Sequence, residues 1–211
     1  MGTCDYLDVY LVRHGITEWN KEKRYLGHTD QEVIKSELTQ LSKLRKELMN
    51  RSFDDVFTSD LRRCQETLAY LDLPSQVSVD RRLREIYFGD WEGKTYNELK
   101  DNQAYQNWLD NWEVYSIPNG ESPVTFKSRI DSFFNELFGE KMTPAATTKK
   151  QILIMTHGGV IRYLISKYVP SISFWELSVT PGQGIKLSFE KQKGEWKCSL
   201  LSAVPFQEKE K

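Results

Sequence analysis

Cysteine is scarce in this chain of 211 residues. The three present, Cys4, Cys64 and Cys198, are scattered and form no CxxC pair. That spacing argues against a structural zinc site or a disulfide framework, and it suits reduced thiols in a cytoplasmic protein. A long apolar run is also missing: no stretch approaches the ~20 residues that cross a bilayer, so no membrane attachment is expected. Met1 to Asp8 has neither the basic nor the apolar region of a secretory signal. Net charge is almost absent, with 29 basic residues against 30 acidic ones. That leaves no basic field for nucleic acid or for an anionic lipid surface. No internal repeat and no low-complexity linker interrupts the chain, so 1–211 reads as a single domain with enough residues for a proper core. Histidine is as scarce as cysteine: His14, His28 and His157 are the only three.

Two of those histidines share a context. Val9 to Val12 is an apolar, β-prone run that delivers Arg13 and His14 and then Gly15. Ile152 to Met155 repeats the grammar and delivers Thr156, His157, Gly158 and Gly159. Each reads as a buried strand ending at a sheet mouth, where open α/β sheets place their chemistry. A lone histidine of this kind is more often a satisfied core residue; two in matching contexts argue for a site.

Between and beyond them the chain alternates. Leu38, Leu41, Leu44 and Leu48 share a helix face over Leu38 to Met49, with Thr39 as a candidate cap. Phe53 to Ser59 reads as a short strand. A helix starting near Asp60, whose carboxylate suits the N-terminal dipole, ends at Pro74. Val77 to Val79 is a further short strand. Ile86 to Gly93 is a glycine-punctuated aromatic loop, and Tyr96 to Tyr115 is helical, with Tyr105, Trp108, Leu109 and Trp112 at helical spacing. Those rings are either core or part of a lid. After a turn at Pro118 to Pro123 comes a helix from Val124 to Leu137, with Phe126, Ile130, Phe133, Phe134 and Leu137 inward. Residues 142–150 read as a surface loop, Gly159 to Tyr168 as a helix, Ile185 to Leu201 as a hairpin turning at Lys193-Gly194, and 207–211 as a flexible charged tail. This order predicts a three-layer α/β/α sandwich around a mainly parallel sheet, with the aromatic-rich excursion 86–120 overhanging its C-terminal edge.

Convergence of Arg13, His14, Arg63 and His157 at that edge would surround a small volume with two guanidinium forks and two imidazoles. Arginine forks match phosphate oxygens, and glycine beside each histidine lets backbone N–H groups approach an anion. A neutral imidazole can attack phosphorus, and Glu85, followed by the aromatic loop, is the candidate proton donor to the departing alkoxide. Taken singly, Arg63 and Glu85 would pass for ordinary surface charges; the joint pattern does not fit that reading easily.

The motifs carry a family resemblance. Arg13-His14-Gly15 with Thr17, Trp19 and Asn20 resembles the RHGxTxWN motif of the histidine phosphatase superfamily, which includes the phosphoglycerate mutases. Ser59 to Arg63 with Thr67 resembles its SxLxRAxxT element, Cys64 standing where alanine is usual. Leu83-Arg84-Glu85 through Gly89, Trp91, Glu92 and Gly93 resembles LxExxxGxWEG, Gly120-Glu121-Ser122 the GES turn, and Thr156 to Gly159 the second histidine motif. Ser42 departs from the family's frequent glycine, on a helix away from the motifs. The resemblance implies a phosphoglycerate mutase-like fold and a phosphomonoester hydrolase. It implies His14 as the phosphorylated nucleophile, Glu85 as proton donor, Arg13, Arg63 and His157 as the phosphate pocket, and Asn20 and the Gly158 amide as further substrate ligands. It implies no metal and no cofactor. The partner is a small phosphomonoester, and a homodimer is compatible with the sequence.

Gly89 to Gly93 is similar to the phosphatase branch of the superfamily. Tyr105, Trp108, Asp110 to Trp112 and Pro118 to Glu121 are similar to α-ribazole phosphatases of cobalamin assembly. A broad-specificity phosphatase, a cofactor-dependent phosphoglycerate mutase and a non-catalytic phosphate binder stand as alternatives. The binder is disfavoured by Glu85, since binding alone needs no proton donor.

Overall fold

The computed structural model describes residues 6–73, 76–139 and 149–204. Its centre is strand β1 (Tyr6–Arg13), apolar on both faces and buried from Leu7 to Val12. A strand covered on both sides reads as a nearly continuous apolar run, which is why it is visible in the sequence. β1 lies between β4 (Lys150–Thr156), parallel to it, and β5 (Gly184–Gln192), antiparallel. The six-stranded order is β3-β2-β4-β1-β5-β6, with β2 at Asp55–Thr58, β3 at Val77–Val79 and β6 at Glu195–Val204. Four strands are parallel; the β5–β6 hairpin adds the antiparallel edge. It turns at Lys193-Gly194, as expected, both at positive φ, the geometry that matches strand twist in tight hairpins.

Period-two alternation along β1 separates two cores. Leu7, Val9 and Leu11, with Ile152 and Ile154, face the layer that includes α6 (Pro123–Gly139) and α7 (Gly158–Tyr168). Tyr10, Val12, Leu153 and Met155 face Leu44 and Leu48 of α2 (Ser42–Met49) and Leu68 and Leu71 of α3 (Arg62–Leu71). Two helical layers on one sheet make the predicted three-layer sandwich.

Local details differ from the sequence reading. Leu38 to Leu41 belongs to a 3₁₀ segment, Lys35–Leu41, and only Ser42–Met49 is α-helical. Thr39 caps nothing; its hydroxyl donates to the Ser36 carbonyl. Asp60 does not cap α3 either, because its carboxylate is held by the Arg84 fork at 2.7 and 2.6 Å, a stronger partner than an exposed N–H. α3 ends at Leu71 with Asp72 in the left-handed conformation, upstream of Pro74, which lies outside the described residues. The 207–211 tail and most of the 142–150 loop also lie outside them. Tyr96 to Tyr115 is two short helices, α4 (Tyr96–Leu99) and α5 (Gln103–Asp110), with no helix beyond Asp110.

The excursion folds back on the sheet through its rings. Trp91 meets Tyr105 and Trp108 edge-on at 5.3 and 5.5 Å, and Trp112 stacks on Phe174 at 4.1 Å. Gly89 sits at φ +48° where the loop crosses the turn before α6; a Cβ there would lie 2.5 Å from the Asn119 carbonyl carbon, so only glycine fits.

Candidate active site

Register brings the two histidines together. Arg13 pairs with Thr156 across β1 and β4, and the His14 N–H donates to the Thr156 carbonyl at 3.1 Å. The chain therefore leaves both strands at one point, with the His14 and His157 rings 5.1 Å apart between centroids. A cavity of about 190 Å³ opens there, and Arg13, His14, Asn20, Glu85 and Gly158 line it. Arg63 and His157 are fully buried beside these groups and form no part of the lining.

Each side chain is held by its neighbours. His14 Nδ1 lies 2.7 Å from the Gly15 carbonyl. A carbonyl only accepts, so Nδ1 carries the proton and Nε2 keeps the lone pair. Burial pushes His14 well below the ordinary histidine range, and the Arg63 and Arg13 charges push the same way, so the ring is neutral at pH 7. His157 is lowered well below that range for the same reasons, burial first and Arg63 next. Its Nε2 lies 3.0 Å from Ser59 Oγ and 3.4 Å from Cys64 Sγ. Burial pushes the Cys64 thiol up to about 12, so it is an inert neighbour rather than a nucleophile.

The two guanidinium groups are anchored on carbonyls. Arg13 Nη1 donates to Val179 at 2.5 Å, and burial lowers Arg13 only to about 10, which leaves it cationic. Arg63 donates to Thr29 at 3.0 Å and to Gly27 at 2.6 Å. Neither Nε has a partner among the described residues. The loop that receives Arg63 is itself clamped by Glu92, whose carboxylate accepts from the His28 and Thr29 N–H groups at 2.6 and 2.7 Å.

Glu85 is buried, and its carboxylate accepts from Gly159 N–H at 2.9 Å and Ile86 N–H at 2.9 Å. A Cβ at Gly159 would overlap Glu85 Oε1 and lie 3.1 Å from Ile86 Cδ1, so a larger residue there displaces the Glu85 carboxylate. Behind Glu85, Arg129 donates to the carbonyls of Arg82, Arg84 and Glu85 at 2.7, 2.6 and 2.8 Å while forking onto Glu121. Asn20 is oriented by a capping box on α1 (Glu18–Lys21): its Oδ1 accepts from Thr17 N–H, and its own N–H donates to Thr17 Oγ1. That leaves the amide NH₂ end for the cavity. Gly158 opens α7, where unpaired N–H groups favour an anion.

Arg162, Phe174 and Trp175 also line the cavity, as do Tyr25, Phe88 and Trp108; of these six, the sequence points only to Phe88 and Trp108, through the aromatic excursion that carries them. Arg162 was findable, being four residues beyond Gly158 on the same helix face. Phe174 and Trp175 lie in an irregular connection with no periodicity to betray them. Tyr105 and Trp112 are core residues, and Tyr115 is 44% exposed and outside the lining. Among the described residues no cluster of three or more His, Cys, Asp or Glu could hold a metal ion, and no helix is long and apolar enough to cross a membrane.

Cationic arginines around neutral imidazoles suit a dianionic ester and a nitrogen nucleophile, so fold and site together define an α/β enzyme of phosphoester chemistry. The chain belongs to the histidine phosphatase superfamily (branch 1), whose family model matches residues 9–202. Over 182 residues it is 31% identical to the adenosylcobalamin/alpha-ribazole phosphatase of Salmonella typhimurium, covering 82% of this chain and 86% of that protein. It is 32% identical over 174 residues to phosphoglycerate mutase-like protein 4 of Arabidopsis thaliana, covering 79% and 73%. The crystal structure of the alpha-ribazole phosphatase from Shigella flexneri matches with a TM-score of 0.74 at 27% identity, over 92% of this chain and 95% of that one. The chain is a phosphatase on a phosphoglycerate mutase-like fold.

Proposed function

We propose that His14 is the nucleophile and Glu85 the general acid of phosphomonoester hydrolysis, and that the substrate is α-ribazole 5′-phosphate or a close analogue. One observation carries the mechanism: the Gly15 carbonyl fixes the His14 proton on Nδ1, so a neutral Nε2 lone pair is available in the cavity that Glu85 and Arg13 also line. Nε2 attacks phosphorus as the P–O bond to the alcohol breaks, and Glu85 gives its proton to the alkoxide. Water then attacks phosphorus and the P–N bond breaks; the Glu85 carboxylate takes the water proton, and His14 leaves as the neutral imidazole. Arg13, Asn20 and the Gly158 N–H bind the phosphoryl oxygens. Arg63 and His157 act as the buried floor, Arg63 supplying charge and His157 bracing the His14 ring.

The substrate reading rests on what the Salmonella and Shigella relatives are named for and on the aromatic lining of the cavity. Rapid acid-free quenching of turnover should trap a phosphoryl group on His14 that is stable in base and labile in acid. His14→Ala should abolish both turnover and adduct in a folded protein. Mapping the adduct to another residue would overturn the mechanism. A panel of phosphomonoesters, run with and without 2,3-bisphosphoglycerate, separates hydrolysis from mutase activity and ranks α-ribazole 5′-phosphate against 3-phosphoglycerate and simple aryl phosphates.

A further inference from the structure

One part of the cavity wall has no role in the hydrolysis described above. Trp175 is 42% exposed, yet it lines the same cavity as His14 and Glu85. An exposed tryptophan by itself is ordinary on protein surfaces. This one is unusually well braced. Trp108 meets it edge-on at 5.3 Å and Phe174 at 4.9 Å, and Phe174 is itself stacked on the buried Trp112. Arg162 lies with its guanidinium carbon 5.7 Å from the Trp175 ring centre and 5.9 Å from that of Phe174, while its Nε donates to the Leu177 carbonyl at 2.9 Å. A side chain immobilised in advance loses little freedom when a ligand stacks on it. Arg162 makes no ion pair among the described residues, so its charge is not neutralised by a neighbour.

Size points the same way. A cavity of about 190 Å³ is smaller than the ~300–1,000 Å³ of pockets that enclose a whole drug-sized ligand. It has room for a phosphoryl group and the first part of an alcohol, so a larger remainder would lie at the mouth.

We propose that Trp175 and Arg162 form the leaving-group subsite of this cavity, and that it takes esters whose alcohol carries a planar, non-cationic aromatic ring beyond a hydroxylated linker, the nucleoside 5′-phosphate class. The ring stacks on Trp175. Arg162 donates its remaining N–H groups to a linker hydroxyl or a ring nitrogen and repels cationic alcohols such as choline. This assignment rests on the phosphatase reading above.

The test compares kcat/KM for α-ribazole 5′-phosphate and glycerol 3-phosphate. Both leave as primary alkoxides, so the demand on Glu85 is matched and the difference reports the ring. Trp175→Ala should lower the first by about 10-fold or more, chiefly through KM, and leave the second within about two-fold. Trp175→Phe should restore most of the loss. Arg162→Met should weaken the ring-bearing ester and relieve discrimination against phosphocholine. Equal losses on both esters, or none on either, would overturn the subsite. A second readout needs no turnover: free α-ribazole should quench tryptophan fluorescence of the wild type, and Trp175→Phe should remove that quench. No quench in the wild type also overturns the subsite. A wild type that turns over neither ester but shows the quench would overturn the phosphatase reading and leave the subsite standing; turnover without any dependence on Trp175 does the reverse.

Discussion

Acidification from pH 7.5 to 5.5 should destabilise the unliganded protein through His14 and His157. Both rings are essentially inaccessible to water, and burial together with the neighbouring arginine charges holds them neutral well below pH 6.5. In the unfolded chain each titrates near ~6.5 and goes from about one-tenth to about nine-tenths protonated across that window. The folded pKa is the lower one, so the unfolded state binds more protons as pH falls. Stability is therefore full above the unfolded value and declines below it. The unfolded chain's own titration bounds the loss at roughly 1 kcal/mol for each histidine over the window, and at roughly 2–3 kcal/mol for the pair. For a domain of this size that is a fall in Tm of roughly 5–10 °C. Carboxylates do not confuse the result: Asp60, held low by Arg84, loses its contribution only near and below about pH 4. Urea titrations at pH 7.5, 6.5 and 5.5 in a phosphate-free buffer measure the slope. His14→Gln should make it shallower by the share that this ring contributes. A stability that stays flat or rises on acidification, or a His14→Gln profile parallel to the wild type, would refute the reasoning.

Gly159→Ala should leave the fold intact but displace the Glu85 carboxylate that a Cβ would overlap, cutting kcat on alkyl phosphates while circular dichroism stays native. Glu85→Gln should cost about 10²–10⁴-fold on an alkyl phosphate and much less on an aryl phosphate whose leaving group needs little protonation; equal losses would make Glu85 a binding group only. Arg129→Lys, which loses the fork holding the Glu85 backbone, should follow Glu85→Gln in its leaving-group dependence, and a uniform loss across substrates would assign Arg129 to stability instead. Turnover should survive exhaustive chelation, because fixed guanidinium charges neutralise the phosphate; activity that returns only with added zinc or magnesium would count against the site as drawn.

Strands buried on both faces announce themselves in a sequence, because they read as nearly continuous apolar runs rather than alternating ones. That is why β1 and β4, and with them His14 and His157 at their ends, are legible in the order of residues alone. Arg63, Glu85, Asn20 and Gly158 are legible through motif resemblance. The helix faces of α2, α3 and α6 show for the ordinary reason that 3.6-residue periodicity lines up one apolar stripe. Caps are not legible. Asp60 has the composition of a cap, but Arg84, twenty-four residues away, offers two charge-assisted bonds that no local rule can anticipate. Only the register of Arg13 against Thr156 decides that the two histidines meet, and only chain closure places Trp175 and Arg162 on the cavity and Arg129 behind Glu85. The aromatic excursion shows the limit most plainly. Tyr105, Trp108 and Trp112 carry one periodic signal, and periodicity says that a face is buried without saying against what. Tertiary packing sends Tyr105 and Trp112 into the core and leaves Trp108 at the cavity wall, because contacts between distant segments, not local propensity, set which buried surface borders the ligand.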